Sequence, residues 1–582
     1  MQMQYKVLLF SLLIFIFNLS LRLVFLGSHP PVISHDEIYY VTEAKALASW
    51  GSDTADQWSP LTLTAANPLY AELPGVLMTP AAMLFPNDPI LAAKLTHAVI
   101  GSLLPIILGL VAASLFNSRA TFWVVVGLAS VNPWLFQFSR MGFDALFSLF
   151  FYFLGTLLLT RRNKTAKILS LVFFTLGFFQ YQGLKLVFLP FVWSSCVLSW
   201  WNDKSYEKKT IKSLIFSVYG VILLASLIVM LVYLLRLSQQ SAGGRVNDLI
   251  FTKKSYITAL VNSDRQIGLE HSTSKFFTNK ATVVMRQFWK NYISTLDLSQ
   301  LFVSTEPVRN PFAVRNVGMF YLFDLALMAI GALHLIQKRT LWPTATWLLL
   351  LFLVAPVPSA INATGTWITF RASLLIPLGI LLAGFGFTHL WKRLNAPLKT
   401  ALCCLYLTGT VIFLQEYFVR LPVYGTDGEY FAERIITGYT QRSPNEIPIT
   451  ILTDESKFVF ESILAYSNAI EKANYDEITS AFQSKNYQFS NFRVTSDCVS
   501  QEMLDQGIVI AKRTIQPCIG VKLPSEKVVA IPSLIDSGAV YTIYNDSICS
   551  RYDLPRFSSV RKNNFNIEKL DVTTFCTTFF SR

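Results

Sequence analysis

Charged residues are scarce in this chain: only 15% of its 582 residues are Asp, Glu, Lys or Arg, whereas 52% are hydrophobic. This composition excludes an ordinary soluble protein, because soluble domains carry about 25% charged residues. Apolar stretches of about 20 residues, the length that crosses a bilayer core of roughly 30 Å, recur along the first ~420 residues. The sequence therefore predicts a helical membrane protein with many spans.

Cysteine is also rare, and its seven copies include no CxxC pair, which argues against a zinc ribbon. The polar C-terminal part has no glycine-rich nucleotide motif. The first apolar segment has no small-residue cleavage site after it, so we expect a retained signal-anchor helix. In a compartment outside the cytoplasm, the four cysteines of the C-terminal part are compatible with two disulfides in any of three pairings: Cys498, Cys518, Cys549 and Cys576.

The net charge of +13 would suggest a nucleic-acid partner if the protein were soluble. Here the basic residues fall mainly in short loops between apolar runs, so the positive-inside rule explains them and no nucleic acid is expected. Four basic clusters lie on the same side when the runs are counted as spans, and we assign that side to the cytoplasm. They occupy residues 161–167, 204–212, 338–339 and 392–399.

About eleven apolar runs are candidate transmembrane helices. With the N-terminus in the cytoplasm, the long loops 27–89 and 238–318 lie outside. We predict a transmembrane domain over residues 1–420 and an extracytoplasmic soluble α/β domain over residues 421–582, in a multi-pass plasma (inner) membrane protein. The runs are 7–26, 90–116, 121–138, 145–159, 168–180, 184–200, 214–235, 319–336, 341–355, 372–390 and 401–418.

The two long external loops suggest a site at the outer membrane surface. Residues 67–84 are weakly polar and contain three prolines, which suits short interfacial helices rather than a span. The loop 238–318 interleaves basic and aromatic residues. That pattern is typical of an interfacial anchor, and a lid over a lipid phosphate is the alternative.

Two adjacent carboxylates, Asp36 and Glu37 in SHDEIYY, follow the first apolar run where the chain would meet external water. They are either solvated acids that open a helix or functional acids of a membrane site. His35 beside them is a candidate ligand or second base, with a structural histidine as the alternative. Glu72 is a lone acid in an uncharged interfacial segment, where burial is costly unless a partner exists.

Further polar residues stand at the external ends of apolar runs. Arg140 and Asp144 are four residues apart, so they could share a helical face and pair, or Asp144 could cap the helix that follows it. Lys185 and Arg371 are cations at similar positions. They are either snorkelling anchors or phosphate ligands, since guanidinium and ammonium groups both suit phosphate oxygens.

The order of these features resembles that of the GT-C glycosyltransferases, in the branch of the protein O-mannosyltransferases and the lipid A aminoarabinose transferase. The order is one span, the DE pair, an interfacial loop with a second acid, the FDALFSLFF helix start, many spans and a late arginine before an apolar helix. The resemblance covers about the first 390 residues. It implies a GT-C fold with catalytic Asp36 and Glu37 and with substrate-binding Glu72, Tyr40, Arg140, Asp144, Tyr181, Lys185 and Arg371.

The resemblance implies an inverting transferase that moves a sugar from a polyprenyl-phosphate donor to a hydroxyl or amine, with Asp36 as the base. Membrane lipids and a lipid, polysaccharide or protein acceptor are the implied partners. A divalent metal is conceivable at the carboxylates, but no cofactor is expected to be required. The other hypotheses are a transporter or flippase of lipid-linked glycans and a non-catalytic scaffold. A transporter would show acids near span centres and two similar halves, and the sequence shows neither.

Overall fold

The computed structural model of the 582-residue chain describes residues 2–57, 69–203, 210–239, 248–267, 273–304, 313–363, 368–425, 431–533, 538–555 and 567–582. In these ranges a long helical part is followed by a part that contains both helices and a sheet. Every predicted apolar run coincides with all or most of a helix in the helical part. The chain is therefore mostly α, as the sequence predicts.

The helical part reaches from the N-terminus to residue 425. Its helices are α1 (Gln2–Leu23), α2 (His35–Trp50), α3 (Pro74–Leu84), α4 (Pro89–Phe116), α5 (Arg119–Val131), α6 (Pro133–Phe138), α7 (Ala145–Leu159), α8 (Lys164–Phe178), α9 (Gln182–Lys185), α10 (Phe188–Asn202), α11 (Ile211–Ile215), α12 (Val218–Gln239), α13 (Lys254–Gln266), α14 (Ser274–Phe277), α15 (Lys280–Thr295), α16 (Leu298–Phe302), α17 (Leu322–Gln337), α18 (Trp342–Val354), α19 (Val357–Ala360), α20 (Ile368–Arg371), α21 (Leu375–Trp391), α22 (Ala396–Gln415) and α23 (Leu421–Tyr424).

Four helical stretches in the described ranges are long and apolar enough to cross a membrane: Pro89–Phe116, Val218–Leu237, Arg339–Ala360 and Ala396–Tyr424. Six further apolar helices are shorter, between 10 and 17 residues. The hydrophobic character of these helices indicates an integral membrane protein. The count of about eleven spans and the side on which each terminus lies stay predictions.

Three predicted runs, 121–138, 184–200 and 214–235, each include parts of two helices. In the run 121–138, the side chain of Asn132 accepts hydrogen bonds from the N–H groups of Trp134 and Leu135 at 3.2 and 3.0 Å, so a new helix, α6, begins at Pro133. In the run 184–200, α9 ends at Lys185 before α10 begins.

The C-terminal part is built on one six-stranded sheet with the strand order β2-β3-β1-β4-β6-β5. β1 pairs in parallel with β3 and β4, and the other pairs are antiparallel. The elements are α24 (Phe431–Thr440), β1 (Ile449–Leu452), α25 (Ser456–Ser467), α26 (Tyr475–Ser484), β2 (Gln488–Phe489), β3 (Phe492–Thr495), α27 (Gln501–Gln506), β4 (Ile508–Lys512), β5 (Val529–Pro532), β6 (Ala539–Tyr544) and α28 (Val572–Phe579).

Two disulfides brace this part, and they select one of the three pairings that the sequence left open. Cys498 bonds to Cys518, and Cys549 bonds to Cys576. Buried apolar residues of α24, α25, α28 and the central strands form its core, to which Val32 and Ala46 of the first loop also contribute. The C-terminal part is thus packed directly on the segment that contains α2.

Candidate active site

The first turn of α2 assigns different environments to the two adjacent acids. Ser34 is the N-cap residue: its Oγ accepts a hydrogen bond from the Glu37 N–H at 3.4 Å, and Glu37 Oε2 accepts one from the Ser34 N–H at 2.7 Å. This reciprocal capping box turns Glu37 inward. Asp36, one residue earlier, keeps 34% of its side chain exposed. The pair therefore separates into one capping acid and one accessible acid.

Glu37 joins the first external loop to the loop between α6 and α7. It is fully buried, and Gly142 of the second loop lies against it. A Cβ atom at Gly142 would be 2.2 Å from Glu37 Oε1, and the φ angle of Gly142 is +66°. Burial raises the pKa of Glu37 above its ordinary value, while the positive charge of Lys94 acts in the opposite direction. These contacts indicate a structural role for Glu37.

Asp36 lines a cavity with a volume of about 430 Å³, within the ~300–1,000 Å³ that is usual for small-molecule sites. Five residues that the sequence analysis selected meet there, although they come from distant parts of the chain. They are Asp36, Tyr40, Asp144, Tyr181 and Arg371. The cavity therefore brings two carboxylates, one guanidinium and, with Tyr70, three phenols together.

Tyr40 connects the two carboxylate-bearing segments. Its hydroxyl donates a hydrogen bond to Asp144 Oδ2 at 2.8 Å and accepts one from the Ala71 N–H at 3.0 Å. Asp144 directly precedes α7, but its side chain makes no capping hydrogen bond to that helix. The carboxylate is directed to Tyr40 and the cavity instead of to the helix end.

Glu72 and Lys185 form a buried ion pair behind the cavity wall. Lys185 Nζ lies 2.7 and 2.6 Å from the two carboxylate oxygens of Glu72, and it is 4.2 Å from the ring centroid of Tyr233. Next to this pair, Gln182 Nε2 donates to the Tyr70 carbonyl at 2.5 Å. The pair joins α9 to the segment before α3, and both of these segments contribute residues to the cavity wall.

Arg140 is directed away from the cavity. Its Nη2 donates to the carbonyl of His29 at 2.7 Å, and its Nη1 donates to the carbonyl of Arg22. The guanidinium carbon lies 5.0 Å from the ring centroid of Phe418. In the described ranges Arg140 makes no ion pair with Asp144, because residues 139–144 form a loop and not the continuous helix that would align positions four apart.

Arg371, Phe370, Asn362 and Leu249 also line the cavity. Leu249 and Asn362 form an isolated antiparallel bridge, which brings the loop 238–318 to the cavity. Asn362, the asparagine of an Asn-Ala-Thr sequence, is only 8% exposed. It therefore forms part of the cavity wall and is poorly placed as a glycosylation acceptor.

Several residues of the site were not selected from the sequence. Lys94, fully buried on α4, donates to the Pro30 carbonyl at 2.8 Å. Tyr70, Gln182 and Asn362 line the cavity. Only Lys94 carried a visible signal, namely a cation inside an otherwise apolar helix. Phe458 of the C-terminal part contacts His35, and no pattern in the sequence connected these two residues.

No cluster of three or more metal-ligating side chains occurs among the described residues. Asp36 and Asp144 supply two hard oxygen ligands, with a histidine, His35, beside the first of them. The chemistry assigned below uses the carboxylate of Asp36 as a base.

No model of a known protein family matches the sequence, and no curated protein is significantly similar to it. Solved structures do match. One is the archaeal oligosaccharyltransferase AglB from Archaeoglobus fulgidus in complex with an inhibitory peptide and a dolichol-phosphate, with 9% identity and a TM-score of 0.43 over 86% of this chain and 69% of that chain. Another is ArnT from Cupriavidus metallidurans bound to undecaprenyl phosphate, with 11% identity and a TM-score of 0.46 over 92% and 97%.

Apo ArnT from the same organism matches with 11% identity and a TM-score of 0.44, over 86% of this chain and 92% of that chain. The identities are at most 11% and the TM-scores are below 0.5, so these matches assign no activity to this chain.

Proposed function

We propose that this protein is an inverting glycosyltransferase, which moves a sugar from a polyprenyl-phosphate donor to a hydroxyl or amine of an acceptor at the outer face of the membrane. One observation carries the proposal: Asp36, Asp144 and Arg371, which belong to three distant segments of a membrane protein, line the same cavity. Intramembrane and juxtamembrane ionisable groups are rare unless they serve a function.

Asp36 is the base in the proposed reaction. Its carboxylate lines the cavity and is about one-third exposed, at 34%, so an acceptor hydroxyl can reach it. The acceptor oxygen attacks the anomeric carbon, the bond from that carbon to the phosphate oxygen breaks, and the acceptor proton passes to Asp36. Attack from the face opposite the phosphate inverts the anomeric centre. Phosphate leaves as an anion, so the step needs no general acid.

Arg371 is the residue that we assign to the departing phosphate. It lines the cavity wall with Phe370 and Asn362. A guanidinium fork matches two phosphate oxygens and stabilises the negative charge that develops on them. Lys185 is held by Glu72, so in this proposal these two residues position the cavity wall. Their positive and negative charges also contribute to the field at the site.

Asp144 and Tyr40 hold the substrate in this scheme. The hydrogen bond between them fixes the Asp144 carboxylate at the cavity, where carboxylate and phenol oxygens are suitable partners for sugar hydroxyls. Tyr181 adds a further phenol to the lining. Because the external loops supply these residues, we place the reaction at the extracytoplasmic surface, with the N-terminus in the cytoplasm and the C-terminal domain outside.

The test uses the full-length chain in membranes with a panel of radiolabelled polyprenyl-phosphate sugars and a mixture of lipid, polysaccharide and protein acceptors. Asp36→Asn removes the base and is expected to lower transfer by about 10²–10⁴-fold. The matched control is Asp505→Asn, which changes an exposed acid on α27 and should leave transfer unchanged. Full transfer by the Asp36 variant, or retention of the anomeric configuration in the product, would refute the proposed mechanism.

A further inference from the structure

The C-terminal domain holds α2 along its whole length. At the beginning of α2, the Ile33 N–H donates a hydrogen bond to the Tyr466 hydroxyl at 3.0 Å. Near its end, Lys45 Nζ donates to Asn468 Oδ1 at 2.6 Å. Both partners lie at or just beyond the end of α25, and the two helices pack side by side. The helix that carries the proposed base is therefore clamped by the soluble domain.

Phe458, in the first turn of α25, extends this contact to the cavity. Its ring centroid is 3.9 Å from the imidazole centroid of His35, with the two planes tilted by 53°. On another side of the imidazole, the Tyr70 ring is stacked at 6.0 Å, and the Tyr70 hydroxyl is 3.0 Å from His35 Nδ1. His35 is therefore fixed by one aromatic residue from each part of the protein.

The position of His35 constrains Asp36. His35 Nδ1 lies 3.4 Å from Asp36 Oδ1, and the two side chains are 30% and 34% exposed. Side chains with this exposure are not fixed by close packing alone, so neighbouring contacts restrict their rotamers. A displacement of about 1 Å from the reactive geometry can lower a rate by ~10²-fold. The orientation of the imidazole is thus able to control catalysis by the neighbouring carboxylate.

We propose that the C-terminal domain is part of the catalytic unit, in which Phe458 is a positioning residue that fixes His35 and, through it, the carboxylate of Asp36. Phe458 does not belong to the described lining of the cavity, so it acts without touching the substrate. This inference rests on the proposed function of Asp36 as the base. It assigns a role to the domain that the sequence resemblance does not cover.

The test compares variants of the full-length enzyme with the donor that gives the highest transfer in the panel. Phe458→Ala is expected to lower kcat by about tenfold while KM for the donor changes by less than about twofold, because the base is misplaced but the binding wall stays intact. Phe458→Tyr keeps the ring and should retain near-normal kcat. The matched control is Phe489→Ala, a half-buried phenylalanine on the edge strand β2, which should change neither parameter.

A double-mutant cycle with His35→Ala separates positioning from a general loss of structure. If Phe458 acts through His35, Phe458→Ala should reduce kcat by less than about twofold in the His35→Ala background, since the two effects are not additive. An equal tenfold loss in both backgrounds would overturn the proposal, as would a fully active Phe458→Ala enzyme. If Phe458→Ala does not fold, Phe458→Leu takes its place, because leucine retains apolar volume but lacks the ring. We expect Phe458→Leu to show the same loss of kcat.

The Asp36→Asn variant distinguishes the two proposals. If Asp36→Asn is inactive while Phe458→Ala has normal kcat, the proposed function stands and the positioning role of Phe458 is wrong. If Asp36→Asn transfers sugar at the normal rate, the assignment of the base is wrong, and any effect of Phe458 must then have a different cause.

Discussion

The buried ion pair between Glu72 and Lys185 allows a quantitative prediction. The two side chains are only 4% and 5% exposed, and the ammonium is within 2.7 Å of both carboxylate oxygens. We consider three variants: Glu72→Gln, Lys185→Met and the combination of both. Each single change leaves one charged group buried without its counter-ion, whereas the double change leaves an amide and a thioether in similar volume.

The expected magnitudes follow from the burial. Removing one member of a buried, hydrogen-bonded ion pair costs roughly 3–5 kcal/mol, because the remaining charge is not solvated. Replacing both members by uncharged groups of similar size is often neutral, or stabilising by about 1–4 kcal/mol. The stability of a domain is only about 5–15 kcal/mol. Each single variant should therefore unfold at a clearly lower temperature, and the double variant should recover most of the loss.

The assay is thermal unfolding of the full-length protein in detergent at neutral pH, followed by intrinsic fluorescence and by loss of monodisperse protein. Equilibrium binding of a polyprenyl-phosphate sugar is measured on the same samples. The matched control is Lys512→Met, which removes a lysine whose partners, Asp454 and Glu455, are 52% and 47% exposed. We expect a much smaller change there, because the remaining carboxylates are solvated and exposed pairs contribute ~0–1 kcal/mol. Additive destabilisation in the double variant would refute the reasoning.

Two further predictions concern the loops around α2. Gly142→Ala should destabilise the protein by about 1–3 kcal/mol, because the new methyl group collides with Glu37 and the residue has a φ of +66°. The control in the same unfolding assay is Gly127→Ala, because nothing lies within 4 Å of a Cβ atom at that position. Burial is the main cause, and the negative charges of neighbouring acids the second, of a rise in the pKa of Glu43 from its ordinary value of 4.5 to about 8. The folded state therefore binds this proton more tightly than the unfolded state does. As a result, the folded state loses stability as the pH rises from about 4.5 to about 8. Glu43→Gln should therefore flatten the dependence of melting temperature on pH from about 5 to about 8, whereas the exposed-site variant Glu446→Gln should leave the slope unchanged.

Residue patterns predicted the cavity lining better than they predicted the pairing of its neighbours. Asp144 and Arg371 each directly precede an apolar run, and Asp36 follows the first run, so the predicted topology assigned all three to the same membrane side. That placement is visible in a sequence. The partner of Lys185 cannot be read from the sequence, because Glu72 lies over a hundred positions away. Whether the lysine ammonium binds a carboxylate of the protein or a phosphate depends on the folded geometry.

The contacts of Arg140 and Phe458 could not be predicted from the sequence. The spacing of Arg140 and Asp144 would align them on one helix, but the chain leaves the helical conformation between them, and Arg140 binds backbone carbonyls instead. Phe458 belongs to a domain without a recognisable motif. Its contact with His35 follows from how α25 docks on α2, which no local pattern encodes.

The hydrogen bond from Ile33 to Tyr466 joins positions 433 residues apart, and this separation has a consequence for biogenesis. Contacts so distant in sequence form late, because the intervening chain must be in place before they can close. The segment that contains α2 leaves the ribosome early, yet it can acquire its final shape only after the C-terminal part, with its two disulfides, has been synthesised and folded. A prematurely terminated polypeptide would thus lack the contacts that hold α2, and with them the final geometry of the cavity that Asp36 lines.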